Sequence, residues 1–280
     1  MKISVCDANG VVYGSDETKL NVVSNSVINN ESKNILCFGD SLTYNGVWVA
    51  QGISRYIEAG GTKVKTLGTM KYTMGNVTVN YEGHSGWQWS TYVNDLTSPF
   101  VNSSGKLSFK DFCTKNGYSG IDEVYILLTW NGIGGRFREF NFKDNLFLNA
   151  KIIVDKIHEE YPNAKITLIG IPKPSTNAGL GAHYEINIAN SDNYAQSVTV
   201  MNYNKFMEEW IKMKEYRSFL HYIDGMGQFD SEYNMPSEPK KVNNQNTTTE
   251  PVGNAMGIHP STNGYKQIGD VFYRALMTKK

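Results

Sequence analysis

From residue 34 onward, short apolar runs alternate with stretches whose apolar positions recur every three or four residues. Ile35-Leu36-Cys37-Phe38 forms a compact apolar strand that ends at Gly39. Residues 48–58 carry apolar positions at helical spacing, and Gly60-Gly61 stops them. Residues 63–67 and 77–81 are further strand candidates, and 124–129 is apolar enough for a buried central strand. Residues 140–161 hold a long helical period through Leu146, Leu148, Ile152, Ile153 and Ile157, closed by Pro162. Strands at 165–171 and 219–223 and helices at 202–216 and 263–277 complete the series. A loop is expected around 234–258, and its polar tract from 243 to 249 reads as mobile. Alternation of this kind implies a mainly parallel sheet with helices on both faces.

Residues 1–33 follow a different pattern. Ile3, Val5, Val11 and Tyr13 flank Asn9-Gly10, a dipeptide suited to a tight hairpin turn because both residues tolerate positive φ. The segment reads as a small β appendage or arm preceding a main domain over 34–280. Two roles stand level for it: attachment to another protein, or extra strands packed on the main domain.

Composition narrows the function class. The 280 residues are 40% hydrophobic and 19% charged, with 27 basic and 27 acidic side chains and no long run of one sign. A nucleic-acid binder would show a basic stripe, so that class is not expected. The three cysteines, Cys6, Cys37 and Cys113, form no CxxC pair and no metal-finger spacing, so neither a disulfide framework nor a zinc module is predicted. No segment approaches the ~18 apolar residues of a membrane span. The start, MKISVCDANG, lacks the apolar stretch of a signal peptide, and the chain reads as soluble.

The residues that carry chemistry fall after the strands, where parallel sheets place their sites. Phe38-Gly39-Asp40-Ser41-Leu42-Thr43 follows the first buried strand; Gly39 allows a sharp turn that exposes Ser41 near a helix start, where amides favour negative charge. Glu82-Gly83-His84-Ser85-Gly86-Trp87 is a two-glycine turn able to present backbone N–H donors. It is not a GxSxG elbow, because Trp87 takes the second glycine's place, which leaves Ser85 a weak rival nucleophile. Asn131, in Thr129-Trp130-Asn131-Gly132 at the end of the most apolar strand, is a natural oxyanion donor. His259, in Gly257-Ile258-His259-Pro260, precedes the closing helix and is suited to general-base work near neutrality.

Taken in order, these four segments resemble the conserved blocks of the SGNH (GDSL-type) hydrolases: GDS with a following Leu or Ile, a Gly-rich turn, GxND, and DxxHP. The resemblance covers residues 34–278. It implies a flavodoxin-like three-layer α/β/α sandwich with a mainly parallel sheet, and Ser41 as nucleophile with His259 as base. It further implies an oxyanion hole from the Ser41 amide, Gly86 and Asn131. Gly86 is preferred over Gly83 because it fills the second glycine position of that block. Acyl transfer of this type needs no metal or organic cofactor, and the sequence offers no cluster of ligands for one.

Two departures stand out. The third block reads Thr-Trp-Asn-Gly, so its Gly and Asp are both replaced while Asn131 stays. Met256 occupies the place of the acidic triad member, three before His259. A backbone carbonyl near Met256, or a carboxylate from Asp224, Asp230 or Glu250, would have to orient the imidazole; otherwise the site is weakened. Members of this family cleave acetyl groups from carbohydrates as well as lipids, thioesters and aryl esters. Carbohydrate O-acetyl ester is the first choice here, with Trp48, Trp87, Trp89 and Trp130 as candidate sugar-stacking faces and the loops around 173–193 and 234–256 shaping the entrance. The alternative from another class is a glycan-binding or structural module docked through the N-terminal arm.

Overall fold

A computed structural model describes residues 2–17, 28, 32–133, 140–175, 189–243, 245–253 and 257–277. Its core is a sheet of seven strands. In chain order the elements are β1 (Lys2–Cys6), β2 (Val12–Glu17), β3 (Lys33–Gly39), α1 (Ser41–Tyr44), α2 (Val47–Glu58), β4 (Val64–Leu67), β5 (Met70–Met74), β6 (Val77–Gly83), α3 (Trp89–Asn94) and α4 (Phe109–Lys115). They continue with β7 (Glu123–Leu127), α5 (Trp130–Ile133), α6 (Asn145–Glu160), β8 (Lys165–Ile169), α7 (Ala189–Lys212), β9 (Leu220–Ile223), β10 (Ser237–Asn243), β11 (Asn246–Gly253) and α8 (Thr262–Met277).

The strand order is β5-β6-β3-β7-β8-β9, and only the β5–β6 pair is antiparallel. One edge of β3 is shared: β4 pairs Lys33 to Leu36, and β6 pairs Phe38 and Gly39. Strands β7 and β8 are buried at every residue, as strands covered on both faces must be. Helices α2 and α8 pack closely because Gly52 and Gly269 lie at their crossing; a Cβ on Gly52 would sit 2.2 Å from Phe272. Tyr125 of β7 meets Phe272 on that face, while Phe147 of α6 packs against Tyr203 and Phe206 of α7 on the other. The expected three-layer architecture is therefore present.

At the N-terminus, β1 and β2 form their own two-stranded antiparallel sheet. Gly10 takes φ 84°, and the Asp7 carboxylate closes the turn by accepting the N–H groups of Asn9 and Val11, each at 2.9 Å. The hairpin does not join the main sheet, and Ile3, Val5, Val12 and Tyr13 are exposed.

Several boundaries differ from the sequence reading for identifiable reasons. Helix α6 starts at Asn145 rather than near 140, because the Asp144 carboxylate caps it at the Leu146 N–H. Helix α7 begins at Ala189, well before 202. The loop expected over 234–258 contains the β10–β11 hairpin instead, with Glu238 opposite Val252 and Lys240 opposite Glu250. Its strands are rich in Lys, Pro, Asn and Thr, so no apolar alternation marks them. Strand β5 and the short helices α3 and α4 had no expectation at all. Among the described residues, no helix is long and apolar enough to cross a membrane.

Candidate active site

Strand β3 delivers Ser41 to the carboxyl edge of the sheet. Gly39 is required there: a Cβ would lie 1.9 Å from the Leu127 carbonyl oxygen and 2.3 Å from Thr43 Oγ1. Asp40 caps α1 by accepting the Leu42 N–H at 3.0 Å, which puts Ser41 at the first helical position. His259 arrives from the other end of the chain on a loop that Gly257 turns with φ 66°. Two backbone bonds hold that loop, Ser175 N–H to the Gly257 carbonyl at 2.7 Å and Ser261 N–H to the Asn234 carbonyl at 2.9 Å. His259 Nε2 and Ser41 Oγ are 2.9 Å apart, within hydrogen-bond reach, although 218 residues separate them. A neutral ring protonated on Nδ1 would accept the serine proton in this geometry.

Met256 lies outside the described residues, as does the side chain of Glu250. Asp224 and Asp230 each cap their own turn: Asp224 Oδ1 accepts from Met226 and Gly227, and Asp230 Oδ1 accepts from Glu232 and Tyr233.

The two glycines of the second block do different work. Gly83 is a packing glycine, since a Cβ would fall 2.5 Å from the backbone of Thr43, and its N–H points to Met70 Sδ at 3.3 Å. Gly86 is the turn glycine, with φ 79° and open space where a Cβ would be. Asn131 lies on α5, and its Nδ2 donates to the Trp87 carbonyl at 3.0 Å. An amide nitrogen carries two protons, so this bond fixes the amide plane and spends only one of them.

A buried polar floor underlies these groups. Asp40 is fully buried, and its second carboxylate oxygen accepts the N–H groups of Thr129 at 3.2 Å and Trp130 at 3.1 Å. Burial pushes its pKa up to about 6, against the pull of the amides it accepts from. Thr129 has φ 138°, the one non-glycine residue with positive φ among the described residues. For a β-branched residue this conformation costs on the order of 1–3 kcal/mol. The block pattern that this segment resembles has glycine at this place, and the Thr129 backbone adopts a conformation that suits glycine. The Thr129 hydroxyl accepts from Trp89 Nε1 and lies 2.5 Å from the Tyr203 hydroxyl. Sequence reasoning gave Asp40 and Tyr203 no role and took Trp89 for a sugar-stacking face rather than a buried donor; the Thr in the glycine position was the available signal.

Glu82 and His84 were missed too. The fully buried Glu82 carboxylate accepts from the Thr69 N–H at 2.5 Å and lies 3.0 Å from His84 Nε2. The His84 ring stacks on Trp87 at 4.1 Å. Trp87 is half-buried, whereas Trp48, Trp89 and Trp130 are buried in the core and cannot serve as sugar platforms. Two exposed tyrosines belong to the segments that carry or hold the pair: Tyr44, 55% exposed, one turn along α1 from Ser41, and Tyr233, 79% exposed, preceding Asn234, whose carbonyl holds the His259 loop. Among the described residues, no group of three or more His, Cys, Asp or Glu side chains could hold a metal ion.

Comparison with known proteins agrees with the fold. No family model matches the chain, and no curated protein matches it by sequence. Among solved structures it is similar to a putative platelet activating factor from Streptococcus pneumonia, at 15% identity and TM-score 0.50 over 88% of this chain and 85% of that one. It is also similar to a Clostridium thermocellum family 3 carbohydrate esterase, at 14% identity and TM-score 0.50 over 87% of this chain and 94% of that one. An acetyl esterase mutant with acetate ion aligns at 16% identity and TM-score 0.50, over 87% of this chain and 96% of that one. The chain has the α/β fold of SGNH-type esterases.

Proposed function

We propose that the chain is a serine esterase that hydrolyses small acyl esters, acetyl first among them, on carbohydrate. The observation that carries this reading is the 2.9 Å contact between Ser41 Oγ and His259 Nε2 at the carboxyl edge of the sheet. In the proposed mechanism His259 Nε2 takes the Ser41 proton as Oγ attacks the ester carbonyl carbon. The oxyanion is received by the N–H groups of Ser41 and Gly86 and by the second Nδ2 proton of Asn131. His259 returns its proton to the departing alcohol, and water then releases the acyl group from Ser41 by the same steps in reverse. A backbone carbonyl near Met256, or a carboxylate of Asp224, Asp230 or Glu250, orients the imidazole.

The carbohydrate preference is supported by the exposed tyrosines Tyr44 and Tyr233, whose flat faces suit sugar rings. It is supported also by the printed descriptions of two neighbours, an acetyl esterase and a carbohydrate esterase. Residues 34–280 act as the catalytic domain, and residues 1–33, with the apolar side chains of β1 and β2 exposed, attach it to another protein. Met256 favours a second reading, a glycan-binding module on the same fold.

Hydrolysis of a short-chain aryl acetate by the wild type, Ser41→Ala and His259→Ala tests the proposal. Each variant should lose at least about 10³-fold in kcat, after which acetylated polysaccharides become the substrates to screen. A wild type no faster than either variant sinks the esterase reading. Glycan affinity retained by Ser41→Ala would then support the binding module.

A further inference from the structure

We infer that Thr129 is a positioning residue for the oxyanion hole: its hydroxyl, wedged between Trp89 and Tyr203, holds a strained turn that keeps Asn131 at a fixed spacing from Gly86. The inference rests on the esterase reading above.

Every polar atom of Thr129 is engaged. Its N–H goes to Asp40, its carbonyl accepts the Gly132 N–H at 2.9 Å, and its hydroxyl meets Trp89 and Tyr203. Donor counting fixes the direction of the buried chain. Indole N–H can only donate, so Thr129 Oγ1 accepts from Trp89, and the arrangement that gives every proton an acceptor sends the threonine proton to Tyr203. The Tyr203 proton is then left for the Leu128 carbonyl, 3.4 Å away. Both hydroxyls of this Thr129–Tyr203 network are thereby paired.

The geometry also ties two site segments together. Trp87 and Trp89, one and three residues after Gly86, grip both ends of the segment from 129 to 131: Trp89 Nε1 at the Thr129 hydroxyl, and the Trp87 carbonyl at Asn131 Nδ2. Glycine in place of Thr129 would adopt φ 138° without strain but would offer nothing for Trp89 to hold. Threonine reverses that balance, with backbone strain offset by a side-chain anchor.

The test compares variants in aryl acetate hydrolysis and in inhibition by an aryl boronic acid, which forms a tetrahedral adduct on serine. Thr129→Val keeps shape and branching and removes only the hydroxyl. Its kcat should fall roughly 10- to 100-fold with KM within about twofold, and boronate affinity should fall in parallel. Thr129→Ser restores the hydroxyl and should stay within about threefold of the wild type. If Thr129→Val does not fold, Tyr203→Phe carries the test with the backbone untouched, and a drop in both kcat and boronate affinity is expected. A folded Thr129→Val with unchanged kcat, equal losses in the Val and Ser variants, or an unaffected Tyr203→Phe overturns the inference. Ser41→Ala run beside them separates the two readings. A wild type no faster than Ser41→Ala removes the esterase and this inference together, whereas Ser41-dependent turnover that ignores Thr129 removes this inference alone.

Discussion

Two buried acids lie at opposite ends of the same sheet and are accommodated in opposite ways. Asp40, at the carboxyl end of β3, is met by backbone N–H groups from Leu42, Thr129 and Trp130. Glu123, at the amino end of β7, is met by the Lys33 ammonium at 2.6 Å and the Tyr125 hydroxyl at 2.5 Å. Beside it Lys165, also buried, donates to the Ala275 carbonyl and so ties down the end of α8. The difference separates geometry from stability. Amides around Asp40 bind the segments that carry Ser41 and Asn131 into one rigid unit, with neutral dipoles rather than a fixed cation as its partners. At the other end an ion pair sits at the amino edge of the sheet, away from Ser41 and His259.

Removing Asp40 should be the most damaging change, because Asp40→Ala leaves three buried amides without an acceptor. A loss of roughly 3–5 kcal/mol in urea denaturation at pH 7 is expected, with kcat down about 100-fold as Asn131 shifts. Full activity in that variant would erase the contrast between the two ends. Next is the pH response. An Asp whose pKa is raised from 3.8 to about 6 in the folded protein gives stability that is complete below pH 3.8 and lost as pH rises through about 6. The wild type should therefore lose about 2 kcal/mol relative to Asp40→Asn between pH 4 and pH 7, read from denaturation midpoints across that range. A pH-independent difference would show that Asp40 titrates as an ordinary carboxylate. Glu123→Gln should cost about 1.5–3 kcal/mol, the range for a charged hydrogen bond, and leave kcat unchanged. A fall in its kcat would mean that the amino end does reach the site. The smallest effect belongs to the hairpin, where exposed Val5→Ser should change stability by less than about 0.5 kcal/mol and activity not at all.

Periodicity made the main sheet legible because β3, β7 and β8 are buried on both faces and helices such as α2 and α8 bury one. It failed at β10 and β11, whose polar strands pair with each other outside that sheet, and at β5, whose five residues are only partly buried. The approach of Ser41 to His259 was legible because each lies within a motif whose residue types that chemistry would dictate. Three of the four tryptophans proposed as sugar platforms were not, since aromatic residues near a motif look the same whether they face substrate or core. Thr129 shows the limit most clearly: a dihedral angle has no letter in the sequence, and only the vacancy of a glycine position hinted at it.

Gly39 carries a consequence for how such a site can change over time. Because the Leu127 carbonyl fills the place of its missing side chain, the gap between the serine-bearing strand and the asparagine-bearing strand is a contact of main chain with main chain. Residues lining the entrance can be exchanged without resetting that gap. On the proposed esterase reading, exchanges at exposed positions such as Tyr44 and Tyr233 would alter substrate choice while Ser41 and Asn131 keep their register, which makes those positions the place to redesign selectivity.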